Sequence, residues 1–155
     1  MDWSNRDTEL FSHISIQRQR KTEKYFHVSD RKLSMYAELT TRMGISILSG
    51  IAASELMFHA ADNHKPYILN CTDYHFSISH SGQVVMCCIS DEEVGADVER
   101  IGYTPYEVMR LVFHAEEIQY IDNSCEKSKD VRFFEMWTRK TNYKKSIVKR
   151  KNIYE

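Results

Sequence analysis

The sequence predicts an α+β fold, and three observations carry that prediction. Stretches near the start and the end have apolar residues at helical spacing. A middle stretch breaks instead into short apolar runs bounded by turn residues, the pattern of strands. The two kinds of element follow no regular strand-helix-strand rhythm, which separates this chain from the parallel α/β folds. With 155 residues, about two-fifths of them apolar, there is enough chain for one compact domain or two tightly joined halves.

Residues 16–28 read as a basic helix, with Arg18, Arg20, Lys21 and Lys24 beside Tyr25 and Phe26. Ser29-Asp30 offers a cap to a longer helix over 31–48, where Leu33, Tyr36, Ala37 and Met43 form the expected buried stripe and Gly50 ends the run. Residues 55–59 and 66–69 are short, turn-flanked strands. Phe76-Ser77-Ile78-Ser79-His80 alternates like a half-buried strand, and Ser81-Gly82 breaks it. The continuous apolar run 84–89 predicts a central strand, and Asp91-Glu92-Glu93 turns the chain into another strand over 94–98. Helices are expected over 105–113, 115–121 and 131–145.

The net charge of −1 excludes a general polyanion binder. Cys71, Cys87, Cys88 and Cys125 contain no Cys-x-x-Cys pair and read as buried free thiols of a reducing compartment. The polar start lacks the apolar core of a secretion signal, and no apolar stretch nears the ~20 residues of a membrane span. The expectation is a cytoplasmic protein without membrane or nucleic-acid partners.

Three patterns carry chemistry. At the end of the 76–80 strand, His80-Ser81-Gly82 pairs a phosphate-binding type of side chain with a glycine that lets backbone approach closely. In Gly95-Ala96-Asp97-Val98-Glu99, strand period places both carboxylates on one face, an arrangement that Mg²⁺ satisfies, since it takes hard oxygen ligands and bridges to phosphates. Taken alone, such a pair is more often an ordinary solvent-facing edge. Phe133-Phe134-Glu135-Met136-Trp137 followed by Arg139-Lys140 reads as a core-facing helix with basic residues after it.

In this order and spacing the patterns resemble the Sfp-type 4′-phosphopantetheinyl transferases. That family runs Lys-Pro, Phe-Asn-x-Ser-His-Ser-Gly, Gly-x-Asp-x-Glu, Phe-Phe-x-x-x-Glu and Trp-x-x-Lys-Glu-x-x-x-Lys. Here Lys65-Pro66 and residues 76–82, 95–99, 113–117 and 137–140 stand in the same sequence, so the resemblance covers roughly residues 14–145. It implies transfer of the phosphopantetheine arm of coenzyme A to a serine of an acyl or peptidyl carrier protein, with Mg²⁺. Asp97 and Glu99 would ligate the metal. His80 would bind a phosphate, Ser79 the nucleotide end, and Lys65 and Lys145 further phosphate oxygens. Arg18, Lys21 and Ser34 would serve the 3′-phosphate.

The chain departs from the family at Thr141, where a glutamate is both metal ligand and proposed base, and at Leu33, where many members have arginine. The family also implies two similar halves. Residues 1–96 match the first, and residues 97–155 match a truncated second half ending in a basic tail. Exposed apolar helix faces, and with them self-association, are then expected. Two alternatives stay open: a relative that at most binds coenzyme A, and a non-enzymatic module whose basic residues 139–151 contact nucleic acid or acidic protein.

Overall fold

The computed structural model describes residues 2–59 and 66–147, the side chains of 144–147 excepted. Three helices come first: α1 (Asn5–Phe11), α2 (Ile16–Glu23) and α3 (Val28–Ser49). Two antiparallel pairs follow, β1 (Phe58–His59) with β2 (Tyr67–Ile68), and β3 (His75–Ser81) with β4 (Val84–Ser90). A 3₁₀ turn (Tyr106–Val108) leads into α4 (Met109–Val112), α5 (Ala115–Asp122) and α6 (Glu126–Ile147). The mixed helix-and-strand class is the one expected.

Helix α1 is absent from the sequence expectation, although Ser4-x-x-Asp7 carries its signal. The Asp7 N–H donates to Ser4 Oγ at 3.2 Å and the Ser4 N–H to Asp7 Oδ2 at 2.8 Å, a reciprocal cap. Lys32 Nζ, 2.9 Å from Asp7 Oδ2, then ties α1 to α3. Helix α2 stops at Glu23 rather than 28, and α6 starts at Glu126 rather than 131. Gly50 ends α3 as expected, in the left-handed conformation (φ 74°) with its N–H on the Ser46 carbonyl.

The buried face of α3 differs from the expected stripe. Ala37 is buried, but Met43 is 63 % exposed and Tyr36 38 %. The interior positions are Ser34, Met35, Ala37, Glu38, Thr41, Arg42 and Ile45. Four of these are polar, and each finds a partner, so the face is hidden from any reading based on hydropathy.

Cross-strand pairing assigns the two faces of the second hairpin. Phe76, Ile78 and His80 share one face with Ile89, Cys87 and Val85, and Ser77, Ser79 and Ser81 share the other with Cys88, Met86 and Val84. Thr41 Oγ1 lies 3.3 Å from Cys87 Sγ, so α3 covers the first face. The expected central strand is instead an edge: among the described residues β4 pairs only with β3, and Val84 is 54 % exposed. Its apolar run reflects one face packed on α3 and one half open.

Residues 94–98 are likewise corrected, for among the described residues they join no sheet. Of the four cysteines, all free, Cys71 is buried, Cys87 and Cys88 are half-buried and Cys125 is exposed, against the expectation of buried thiols. No described helix is long and apolar enough to cross a membrane.

Two apolar cores result. One gathers Ile45, Leu56, Ile68, Cys71 and Phe76 between α3 and the hairpins. The other gathers Met109, Phe113, Ile121 and Phe133, with Phe133 1 % exposed and ringed by Tyr106, Phe113, Phe134 and Trp137 at 5.4–6.0 Å between centroids.

Candidate active site

Ser79 Oγ donates to Asp97 Oδ1 at 2.8 Å, and Ser81 Oγ lies 3.3 Å from Glu99 Oε2. Both links span the same sequence separation, so the 97–99 segment runs parallel to β3. The Arg100 N–H closes the run on Ser81 Oγ at 3.0 Å. Serine hydroxyls thus tie this segment to β3. Ser79 and Ser81 lie on one face of β3, so Asp97 and Glu99 stand on one side, as the sequence predicts, although not within a sheet.

The same segment also meets α6. Gly95 is pressed on Asn142: a Cβ there would overlap the Asn142 carbonyl oxygen and lie 2.9 Å from its carbon. Only glycine admits this contact. It brings the 141–142 turn of α6 beside the acid-bearing segment. Thr141 Oγ1 is turned onto its own helix, donating to the Trp137 carbonyl at 3.0 Å. Asn142 Oδ1 is shut from solvent with no hydrogen-bond partner among the described residues.

Lys140 reaches Glu117 at 2.8 Å and lies 5.7 Å over the Phe113 ring, joining α6 to α5. Burial would raise the Glu117 pKa, but the Lys140 ammonium and the His114 N–H outweigh it and hold the carboxyl below its ordinary range.

Arg18 and Lys21 are one turn apart on α2. Desolvation, and after it the neighbouring Arg18 charge, pull the Lys21 pKa below the usual lysine range. Arg18 Nε is 3.6 Å from Glu38 Oε2. Ser34 is 1 % exposed and shares a 2.8 Å hydrogen bond with Thr22, so its hydroxyl is engaged inside the protein. His80 is exposed and belongs to the face of β3 opposite Ser79. The structure therefore groups Ser79, Asp97 and Glu99, and separately Arg18 and Lys21, while His80 stands on the other side of the hairpin from the acids. Lys65 and the side chain of Lys145 lie outside the described residues.

Among the described residues no three His, Cys, Asp or Glu side chains gather as a metal cage. The donor set is two carboxylates on one side, which suits Mg²⁺ better than most ions: it commonly takes one or two carboxylates and completes its shell with water and phosphate oxygens. Two surface clefts, of about 230 and 200 Å³, are lined by other residues, Glu116, Glu117, Tyr120, Met136 and Arg139 in one, Trp3, Phe11 and Arg31 among those of the other.

Sequence reading alone leaves out Ser81, Glu38, Arg42 and Asn142. The matched alternation Ser79-x-Ser81 against Asp97-x-Glu99 signals the pairing of the first, whereas the i,i+4 spacing of Glu38 and Arg42 is that of an ordinary surface pair and signals no burial.

Known proteins similar to this chain share one family description. Residues 2–92 match the family model described as 4′-phosphopantetheinyl transferase, N-terminal, and residues 93–148 match that of the 4′-phosphopantetheinyl transferase superfamily. The 4′-phosphopantetheinyl transferase gsp of Aneurinibacillus migulanus is 33 % identical over 140 residues, covering 90 % of this chain and 58 % of that protein. The 4′-phosphopantetheinyl transferase Sfp of Bacillus subtilis (strain 168) is 26 % identical over 141 residues, covering 90 % and 63 %. The chain thus spans about three-fifths of the length of the curated relatives it matches.

Proposed function

The chain belongs to the 4′-phosphopantetheinyl transferase family, and we propose from that premise that it moves the phosphopantetheine arm of coenzyme A onto a serine of an acyl or peptidyl carrier protein. The observation that carries the reading is the pairing of Ser79 with Asp97 and Ser81 with Glu99, which aligns two hard carboxylates on one side of a strand end. In this reading Asp97 and Glu99 hold Mg²⁺. Bound there, the ion would offset negative charge on the pyrophosphate of coenzyme A. Ser79 orients Asp97, and Arg18 and Lys21 hold the 3′-phosphate. His80, Lys65 and Lys145 contribute further phosphate contacts. The carrier serine Oγ forms a bond to the phosphorus bearing the pantetheine arm, its proton is released, and the P–O bond to 3′,5′-ADP breaks. Catalysis of this kind rests on positioning and charge neutralisation.

A two-half architecture, divided at residues 1–96 and 97–155, belongs to the same reading. So do a cytoplasmic place of action, a capacity to self-associate, and no need of nucleic acid or membrane.

One observation favours a second reading, coenzyme A binding without transfer. Thr141 stands where the family has a carboxylate, and its hydroxyl is bound to the Trp137 carbonyl. A lost general base costs about 10²–10⁴ in rate.

The test is intact-mass measurement of an apo carrier protein incubated with the chain, coenzyme A and Mg²⁺, beside Asp97→Ala. Transfer adds one phosphopantetheinyl mass with the unaltered chain alone. An unmodified carrier together with calorimetric binding of coenzyme A selects the second reading, and loss of both overturns the first and the second together.

A further inference from the structure

The carboxylate of Glu38 is 1 % exposed and gathers more partners than its own burial requires. Its Oε1 accepts from the Ser15 N–H at 2.6 Å and from Arg42 Nε at 3.0 Å, and Arg42 Nη2 is 2.8 Å away. Arg42 is itself fixed by donating to the Ala53 and Leu56 carbonyls at 2.9 and 2.8 Å and by stacking 4.5 Å over Phe58. One arginine already balances the carboxylate. Yet Oε2, held by Ser15 Oγ at 2.8 Å, also faces Arg18 Nε at 3.6 Å, a charge contact longer than a hydrogen bond.

The charges around this point do not cancel. Arg18, Lys21 and Arg42 against Glu38 leave a surplus of two positive charges. Arg42 is 7 % exposed, so that surplus is presented at the surface by Arg18 and Lys21. A phosphate monoester carries about −1.5 to −2 charges at neutral pH, which is the complement. The Nε edge of Arg18 is turned to Glu38, and its terminal nitrogens have no other ion pair among the described residues.

We propose that Glu38 is a positioning residue, holding the Arg18 guanidinium by its Nε edge so that its terminal nitrogens, with Lys21, receive the 3′-phosphate of coenzyme A. This rests on the coenzyme A reading above and extends it to a residue buried beneath the ligand. Glu38 touches no substrate and sets selectivity through Arg18.

The test is calorimetry of the full chain with coenzyme A and with 3′-dephospho-coenzyme A, together with the Arg18 Nε–H signal by NMR. In Glu38→Gln, coenzyme A binding weakens on the order of tenfold, as loss of a charge-assisted contact does, the dephospho form binds as before, and the Arg18 signal loses protection from exchange. In an Arg18→Gln background, Glu38→Gln has no further effect on coenzyme A. If Glu38→Gln does not fold, Glu38→Asp carries the same test, keeping charge for Arg42 while drawing the carboxylate back from Arg18. Equal weakening of both ligands, or an unchanged Arg18 signal, overturns the positioning role while leaving coenzyme A binding intact. Failure of the unaltered chain to bind either ligand overturns the coenzyme A reading itself, and this role with it.

Discussion

The two regions of the molecule solve burial in opposite ways. Around α3 the interior takes in charge: Asp7, Glu38 and Arg42 lie there with Thr22, Ser34 and Thr41, and the apolar core sits to one side. Around α6 the interior is a cluster of rings about Phe133, and its polar groups are kept to the rim, where Asp130 accepts from Thr104 at 2.5 Å and Tyr106 at 2.7 Å. A ring cluster is stabilised by area and tolerates small shifts. A buried ion network stabilises little beyond what its desolvation costs, but it fixes its members in one arrangement. The region that carries the candidate anion-binding cations is the one built from such a network, and the acid pair sits where the two regions meet.

Removing the charge from the first region breaks this contrast most strongly. Glu38→Ala leaves two arginines facing an uncompensated interior and lowers unfolding free energy by about 3–5 kcal/mol in urea titration. A loss under about 1 kcal/mol would mean that the network contributes no fixation.

The meeting point is next. Gly95→Ala forces the Asn142 backbone away and costs about 1–3 kcal/mol. It also separates α6 from the acid-bearing segment, so the coenzyme A binding proposed above falls as well. Unchanged binding would show that α6 has no part in the site.

The rim of the ring cluster gives the smallest effect. Burial, and then the hydrogen bond and charge of Asp130, push the Tyr106 pKa up to about 12. A raised pKa stabilises the fold while the phenol stays protonated. That contribution is complete below the ordinary tyrosine value of about 10 and disappears as pH rises toward 12. Spectrophotometric titration should find one tyrosine ionising late, and Asp130→Asn should bring it down.

Much of this was legible in the chain. Gly50 as a helix end, the strand over 76–80 and the aromatic face of α6 all follow from local rules, and the shared side of Asp97 and Glu99 follows from strand period. The buried face of α3 was not legible, because Glu38 and Arg42 look like a solvated i,i+4 pair until Ser15, Ala53 and Leu56 close over them. Nor was the edge position of β4, since an apolar run does not state how many neighbours it has.

The sequence by itself determined the family, the mixed class of fold and the order of the motifs, because each is read along the chain without knowing which segments meet. Only the tertiary structure decided which groups share a site. Ser79 meets Asp97, Gly95 admits Asn142, and Glu38 reaches Arg18 across distances in sequence that no local pattern spans. The same packing separates His80 from the acids by the thickness of a hairpin, since neighbouring residues of a strand face opposite ways.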